Sequence, residues 1–194
     1  SDGSVLAYVA DVSDKGVPAA LIMAALSTKI RSEALLESEV EKLIESINNS
    51  TYRLMSEEGF FITIVLARYW PDSGKMQIVV GGHFPPLWID ESGIRKMPAP
   101  SGISLGVMPD ARYEKWEIAL SPGESVLFYS DGIIEARNEN MELLGNGRLA
   151  DLIANSKGPP WGKNILEAVR LWQANTPAGD DMTLLEIWRE KEDA

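Results

Sequence analysis

Apolar residues recur along this chain with two different periods, and the places where the period changes outline the fold. VLAYVA, residues 5–10, is a short apolar run that ends at Asp11 and reads as a buried strand. The preceding SDGS reads as a hairpin turn, so the pattern expects an earlier strand that the sequence does not contain, and a domain cut at its N-terminus. Gly16 and Pro18 then mark a helix start. VPAALIMAALSTKIRSEALL is apolar nearly all round in its first half and predicts a deeply buried helix over about residues 17–36. Ser38 and Glu41 have capping-box spacing, and Val40, Leu43, Ile44, Ile47, Leu54 and Met55 recur at helical period, predicting a second helix over about 39–57. A tight joint makes the two an antiparallel pair.

After Gly59 the period shortens to that of strands. FFITIVLARYW, the turn PDSG and KMQIVV read as a hairpin, and PLWID, YEKWEIAL and SVLFYS follow as further strands with ESG and SPGE as turns. Helical stretches follow around 146–155 and 162–174, and MTLLEIW reads as a last strand before the charged tail REKEDA. Hairpin-linked strands pair antiparallel, so the chain is expected to be α+β, a single domain over residues 1–194. Length and composition agree: 194 residues, 45% hydrophobic and 24% charged, suit one soluble domain with a sizeable core.

Charge and residue usage narrow the chemistry. A net charge of −11 argues against a nucleic-acid backbone as partner. No apolar run approaches the roughly 20 residues of a membrane span. The absence of cysteine excludes a disulfide framework, a thiolate zinc site and a cysteine nucleophile, and fits a reducing, cytoplasmic setting. With one histidine, His83, acid–base or metal chemistry falls to carboxylates.

Three aspartates stand at the ends of the apolar strands: Asp11 after VLAYVA, Asp131 after VLFYS, and Asp180 just before MTLLEIW. Singly each reads as a turn former, and Asp131-Gly132 is a common turn dipeptide. Together they are a constellation that antiparallel pairing can bring to one edge. Divalent cations relieve the repulsion within such a group, and oxygen-only ligands favour Mg²⁺ or Mn²⁺ over zinc.

ADVSDKGVPAALIMA, GGHFPPLWI, SGISLGVMPD, LFYSDGIIEARN and GDDMTLLEIW occur in that order between about residues 5 and 188. They resemble the signature segments of bacterial SpoIIE-type phosphatases, a branch of the type 2C (PPM) metal-dependent serine/threonine protein phosphatases. Five segments in sequence outweigh the turn reading of Asp131. The resemblance implies a four-layer αββα sandwich, two antiparallel sheets face to face with helices outside. It implies that Asp11 bridges two metals, Mn²⁺ or Mg²⁺, that the Val12 carbonyl completes one shell, and that Asp131 and Asp180 hold the other metal. Asp11 and Asp131 are then the catalytic residues, Asp181 a neighbour that orients the edge, and Asp14 a solvated turn residue. The activity implied is two-metal hydrolysis of phosphoserine or phosphothreonine on a small regulatory protein of the anti-sigma-factor antagonist type. A catalytically weak or inactive phosphatase-like module that binds such a partner is the alternative.

The family's Gly-Gly-Asp segment belongs to the strand missing before SDGS, and Ala10 and Ile134 stand where the family commonly has Gly and Thr. His83, between Gly82 and Phe84-Pro85-Pro86, reads as a loop-fixing residue ahead of a proton donor. The six tryptophans read as core. In such enzymes the helices here at about 17–36 and 39–57 act as a switch on the metal loop, and homodimerisation through them stays open.

Overall fold

The computed structural model describes residues 2–55, 59–95, 97, 101–156 and 158–191. In chain order its elements are β1 (Val5–Val12), α1 (Val17–Glu33), α2 (Val40–Met55), β2 (Ile62–Tyr69), β3 (Lys75–Gly81), β4 (Leu87–Asp90), β5 (Gly93–Arg95), β6 (Lys115–Ala119), β7 (Ser125–Tyr129), α3 (Asp131–Ile134), α4 (Gly145–Ala154), α5 (Trp161–Gln173) and β8 (Leu184–Trp188). The fold is α+β, with two four-stranded antiparallel sheets ordered β1-β2-β3-β6 and β5-β4-β7-β8. The chain divides into two compact units, residues 1–85 with 99–119 and residues 86–98 with 120–194. Among the described residues no helix is long and apolar enough to cross a membrane.

In the first unit, β1 runs antiparallel to β2 from Val5 opposite Tyr69 to Val12 opposite Ile62. Period-two alternation divides β1 between two faces. Leu6, Tyr8, Ala10 and Val12 pack with the helices, so Val5, Ala7, Val9 and Asp11 occupy the other face. The buried stripe of α2, Val40, Leu43, Ile44, Ile47 and Met55, packs with Ile62, Ile64 and Leu66 of β2. Two polar contacts fix the helix pair to the sheet. Lys115 on β6 pairs with Glu39 and, at 3.0 Å, with Glu41 at the start of α2. The buried Arg68 of β2 donates to the carbonyls of Ala34 (3.4 Å) and Glu37 (2.8 Å), satisfying acceptors in the turn that follows α1.

The second unit packs Ile89, Leu127 and Tyr129 of its sheet against Ile133, Leu149, Ile153, Trp161, Ile165 and Val169 from its helices. The cap of α5 comes from across the unit. Pro160 at its N-cap position has no capping side chain, and Glu186 of β8 accepts instead from the amides of Trp161 (3.0 Å) and Gly162 (2.7 Å). That carboxylate also accepts from the Ser125 hydroxyl at 2.7 Å, and it stands at the positive end of the α5 dipole. Glu186→Ala is therefore expected to lower stability by about 1–2 kcal/mol in chemical denaturation.

Several expectations are corrected. Helix α1 is not deeply buried: Ala19, Leu26 and Ile30 face the core, whereas Val17 and Leu21 are exposed, because the helix lies on one side of its sheet and has apolar residues on both faces. Leu54 follows the helical period but is 75% exposed, one position round from the buried Met55. Of the six tryptophans only Trp116 and Trp161 are buried. Trp88 and Trp172 are half-buried, each lying 4.5 Å under an arginine, Arg95 and Arg148, and donating its indole N–H to Glu124 or to the Ala136 carbonyl. SPGE is a turn, but β6 and β7 on either side belong to different sheets, a choice that alternation within each strand does not encode. Strand β8 begins at Leu184, later than expected, and the short helix α3 is an addition. The end of the second predicted helix, residues 56–57, lies outside the described residues.

Candidate functional site

Each unit presents candidate residues in a distinct local setting. Asp11 is exposed and lies within β1, one residue before its end, with Val12 buried beside it. Among the described residues β1 pairs with β2, and Asp11 lies opposite Thr63 of that strand. The Thr63 hydroxyl is hydrogen-bonded to Nδ1 of His83 at 2.9 Å, and His83 is buried. Asp14 is exposed and accepts from the Lys15 amide at 2.7 Å, a local turn contact.

The segment carrying His83 is tied to the glycine-rich 101–110 loop. Gly82 donates to the Gly102 carbonyl (2.7 Å), Gly102 to Val80 (2.9 Å), and Leu105 exchanges hydrogen bonds with Ile62 at 2.8 and 3.0 Å. The buried Asn48 of α2 accepts from Gly106 (3.1 Å) and donates to the Met108 carbonyl (2.9 Å). Gly82 has φ +69°, and a Cβ there would lie 2.0 Å from Ser104 Oγ. The glycines of this loop thus admit close backbone packing that holds the His83 segment in place.

In the second unit, Ser130, Asp131 and Gly132 form a joint with residues 180–183. Ser130 donates its backbone N–H to Thr183 (3.0 Å) and its hydroxyl to the Asp181 carbonyl (3.0 Å), and its Oγ accepts from the Thr183 amide (2.9 Å). Gly132 is buried, and a Cβ on it would stand 2.3 Å from the Asp181 carbonyl oxygen and 3.4 Å from that of Asp180. Its φ is not positive, so Gly132 is present for close approach and not for a left-handed turn. Asp131 is half-buried at the first position of α3 and accepts from the Gly132 amide at 2.8 Å; Asp180 is exposed and accepts from the Asp181 amide at 2.9 Å. Two of the three candidate aspartates thus belong to segments in direct backbone contact, although Asp180 lies four residues before β8 and not at its edge. Ser130, which fastens them, went unnoticed in the sequence; its signal was a small polar residue closing the mostly apolar run VLFYS.

Among the described residues no three histidine, aspartate or glutamate side chains are gathered as a ready metal site. The donor chemistry nonetheless fits a hard cation. The joint offers carboxylate oxygens without sulfur or imidazole, and Mg²⁺ and Mn²⁺ accept one or two carboxylates and fill their remaining positions with water.

The chain matches the family model described as stage II sporulation protein E (SpoIIE) over residues 1–190. The phosphoserine phosphatase RsbU of Bacillus subtilis is 26% identical over 192 residues, covering 96% of this chain and 56% of that protein. The chain therefore spans about half the length of that relative. Among solved structures, the RsbU and RsbW domains of a Mycobacterium tuberculosis protein align with TM-score 0.80 and 24% identity over 99% of this chain and 55% of that one. The PP2C phosphatase domain of Bacillus subtilis SpoIIE aligns with TM-score 0.74 and 16% identity over 98% of this chain and 56% of that one. These likenesses establish the fold.

Proposed function

The chain belongs to the stage II sporulation protein E (SpoIIE) family, and from that premise we propose that it is a metal-dependent phosphoprotein phosphatase acting on phosphoserine or phosphothreonine. The observation that carries this reading is the joint of the second unit, where Gly132 lets the Asp180–Asp181 backbone approach the residue after Asp131. A turn needs no such closure, whereas a pair of carboxylates acting together does.

The proposed ligands are Asp11 and the Val12 carbonyl in the first unit and Asp131 and Asp180 in the second. When bound, Mn²⁺ or Mg²⁺ supplies Lewis-acid activation of water and neutralises charge on the phosphoryl oxygens. The protein's part is to hold its carboxylates still. Asp131 opens a helix whose preceding residue is fastened by three hydrogen bonds, and Asp181 acts through its backbone carbonyl, which receives one of them. Asp11 and Asp131 are the catalytic residues of this reading. Its proposed substrate is a phosphorylated regulatory protein of the anti-sigma-factor antagonist type in a cytoplasmic setting, consistent with relatives that are phosphoserine phosphatases.

A module that binds such a partner without turnover is the competing reading, and the lack of a gathered three-carboxylate group among the described residues is its support. Hydrolysis of p-nitrophenyl phosphate separates the two. The phosphatase reading expects turnover that requires Mn²⁺ and is abolished by EDTA; no turnover by a chain shown by calorimetry to hold Mn²⁺ would favour the binding module.

A further inference from the structure

Among the described residues, β2 is the strand paired with β1 and the one that flanks Asp11. The Ser13 amide donates to the Phe61 carbonyl at 3.0 Å. The Asp11–Thr63 pair, two residues along, is therefore in the same hydrogen-bonded phase, with Cα atoms about 5.5 Å apart and side chains on one face. The diagonal neighbours on that face, Phe61 and Val65, are apolar, so Thr63 is the polar side chain of β2 best placed to meet Asp11. It is also the one hydroxyl within the aliphatic part of β2, ITIVLA.

A threonine hydroxyl has a single proton, and an ionised carboxylate can only accept. A Thr63 hydroxyl that donates to the facing Asp11 carboxylate has no proton left for His83. The 2.9 Å contact with His83 Nδ1 then requires the imidazole to donate from Nδ1. His83 is buried, on a segment locked by the Gly82–Gly102 hydrogen bond and by the close packing of Gly82 on Ser104, so its ring forms a fixed anchor.

Resting on the assignment of Asp11 as a metal ligand, we propose that Thr63 and His83 are positioning residues. They orient the Asp11 carboxylate through a relay running from His83 Nδ1–H to Thr63 Oγ1 and from the Thr63 hydroxyl to Asp11. Outer hydrogen-bond partners of this kind set the direction of a metal ligand and typically contribute about 10–100-fold in metal affinity. The relay gives the Thr63 hydroxyl and the buried His83 a joint task and leaves proton transfer out of it.

His83 is the only histidine, so its ring nitrogens can be read by ¹⁵N NMR without assignment. At about pH 8, above the ordinary histidine pKa of about 6.5, the metal-free chain is expected to show Nδ1 protonated and Nε2 pyridine-like; the opposite tautomer would overturn the relay. Calorimetric Mn²⁺ titration supplies the second readout. Thr63→Val, which suits a strand, is expected to weaken Mn²⁺ binding by about 10-fold or more, and Thr63→Ser to restore it. Asp11→Asn serves as the reference. If Asp11→Asn weakens binding and Thr63→Val does not, the relay alone falls. If Asp11→Asn leaves binding unchanged, the assignment of Asp11 as a ligand falls and takes the relay with it.

Discussion

Replacing Asp131 with asparagine is expected to lower Mn²⁺-dependent hydrolysis of p-nitrophenyl phosphate by about 10²–10³-fold, the range for removing one electrostatic group from a reacting centre. The substitution is nearly isosteric, and the asparagine carbonyl can still accept from the Gly132 amide, the 2.8 Å contact that Asp131 makes. The Ser130 bonds to Asp181 and Thr183 do not involve the Asp131 side chain. Folding should therefore survive, with a melting temperature close to that of the parent, while the charge that holds a cation is lost. A parallel fall in Mn²⁺ affinity would place the effect on metal binding. Full activity in Asp131→Asn would return Asp131 to the role of a residue that merely ends a strand, and with it remove the strongest support for a phosphatase.

Gly132→Ala carries the largest expected effect on stability. The added Cβ would stand 2.3 Å from the Asp181 carbonyl oxygen and 2.9 Å from its carbon, and both are backbone atoms that no rotamer change can move. Relief requires residues 180–183 to shift away, which loosens the bonds of Ser130. Overpacking of this kind costs about 1–3 kcal/mol and each weakened hydrogen bond about 1 kcal/mol more, so a loss of about 3–4 kcal/mol is expected. For a chain of this length that corresponds to a fall in Tm of about 10 °C. Gly147→Ala is the control: it lies within α4 with nothing near its Cβ position, and alanine there should be neutral or stabilising by up to about 1 kcal/mol. Equal effects of the two substitutions would show that the approach of residues 180–181 to Gly132 is not a constraint. Because Asp180 lies in the displaced segment, Gly132→Ala should also lower Mn²⁺ affinity, and Gly147→Ala should not.

Most of the fold was legible in residue periodicity. The apolar runs in VLAYVADV, ITIVLARY and KMQIVV, the helical spacing of Val40, Leu43, Ile44 and Ile47, and the turn residues of PDSG are local signals, and local signals survive without tertiary context. The candidate site was legible only in combination: one aspartate closing an apolar strand reads as a turn former, whereas three of them within five ordered segments do not. What escaped notice depends on neighbours distant in sequence. α1 looked buried because its composition is apolar all round, yet what covers a helix is decided by other elements. SPGE looked like a hairpin because a turn's residues specify its geometry and not which sheet the outgoing strand joins.

By itself, then, the sequence determined the α+β class and the position of nearly every element, and it singled out Asp11, Asp131 and Asp180 as candidates, because each follows from the side chains of a few adjacent residues. Only the tertiary structure decided that Gly132 is a point of contact and not a turn, that Ser130 fastens β7 to the segment before β8, that Glu186 caps α5, and that Thr63 meets His83. Each joins residues 20 to 53 positions apart in the chain. Such pairs are fixed by strand register and by the close approach of backbones, quantities that no local pattern of hydrophobic and polar residues carries.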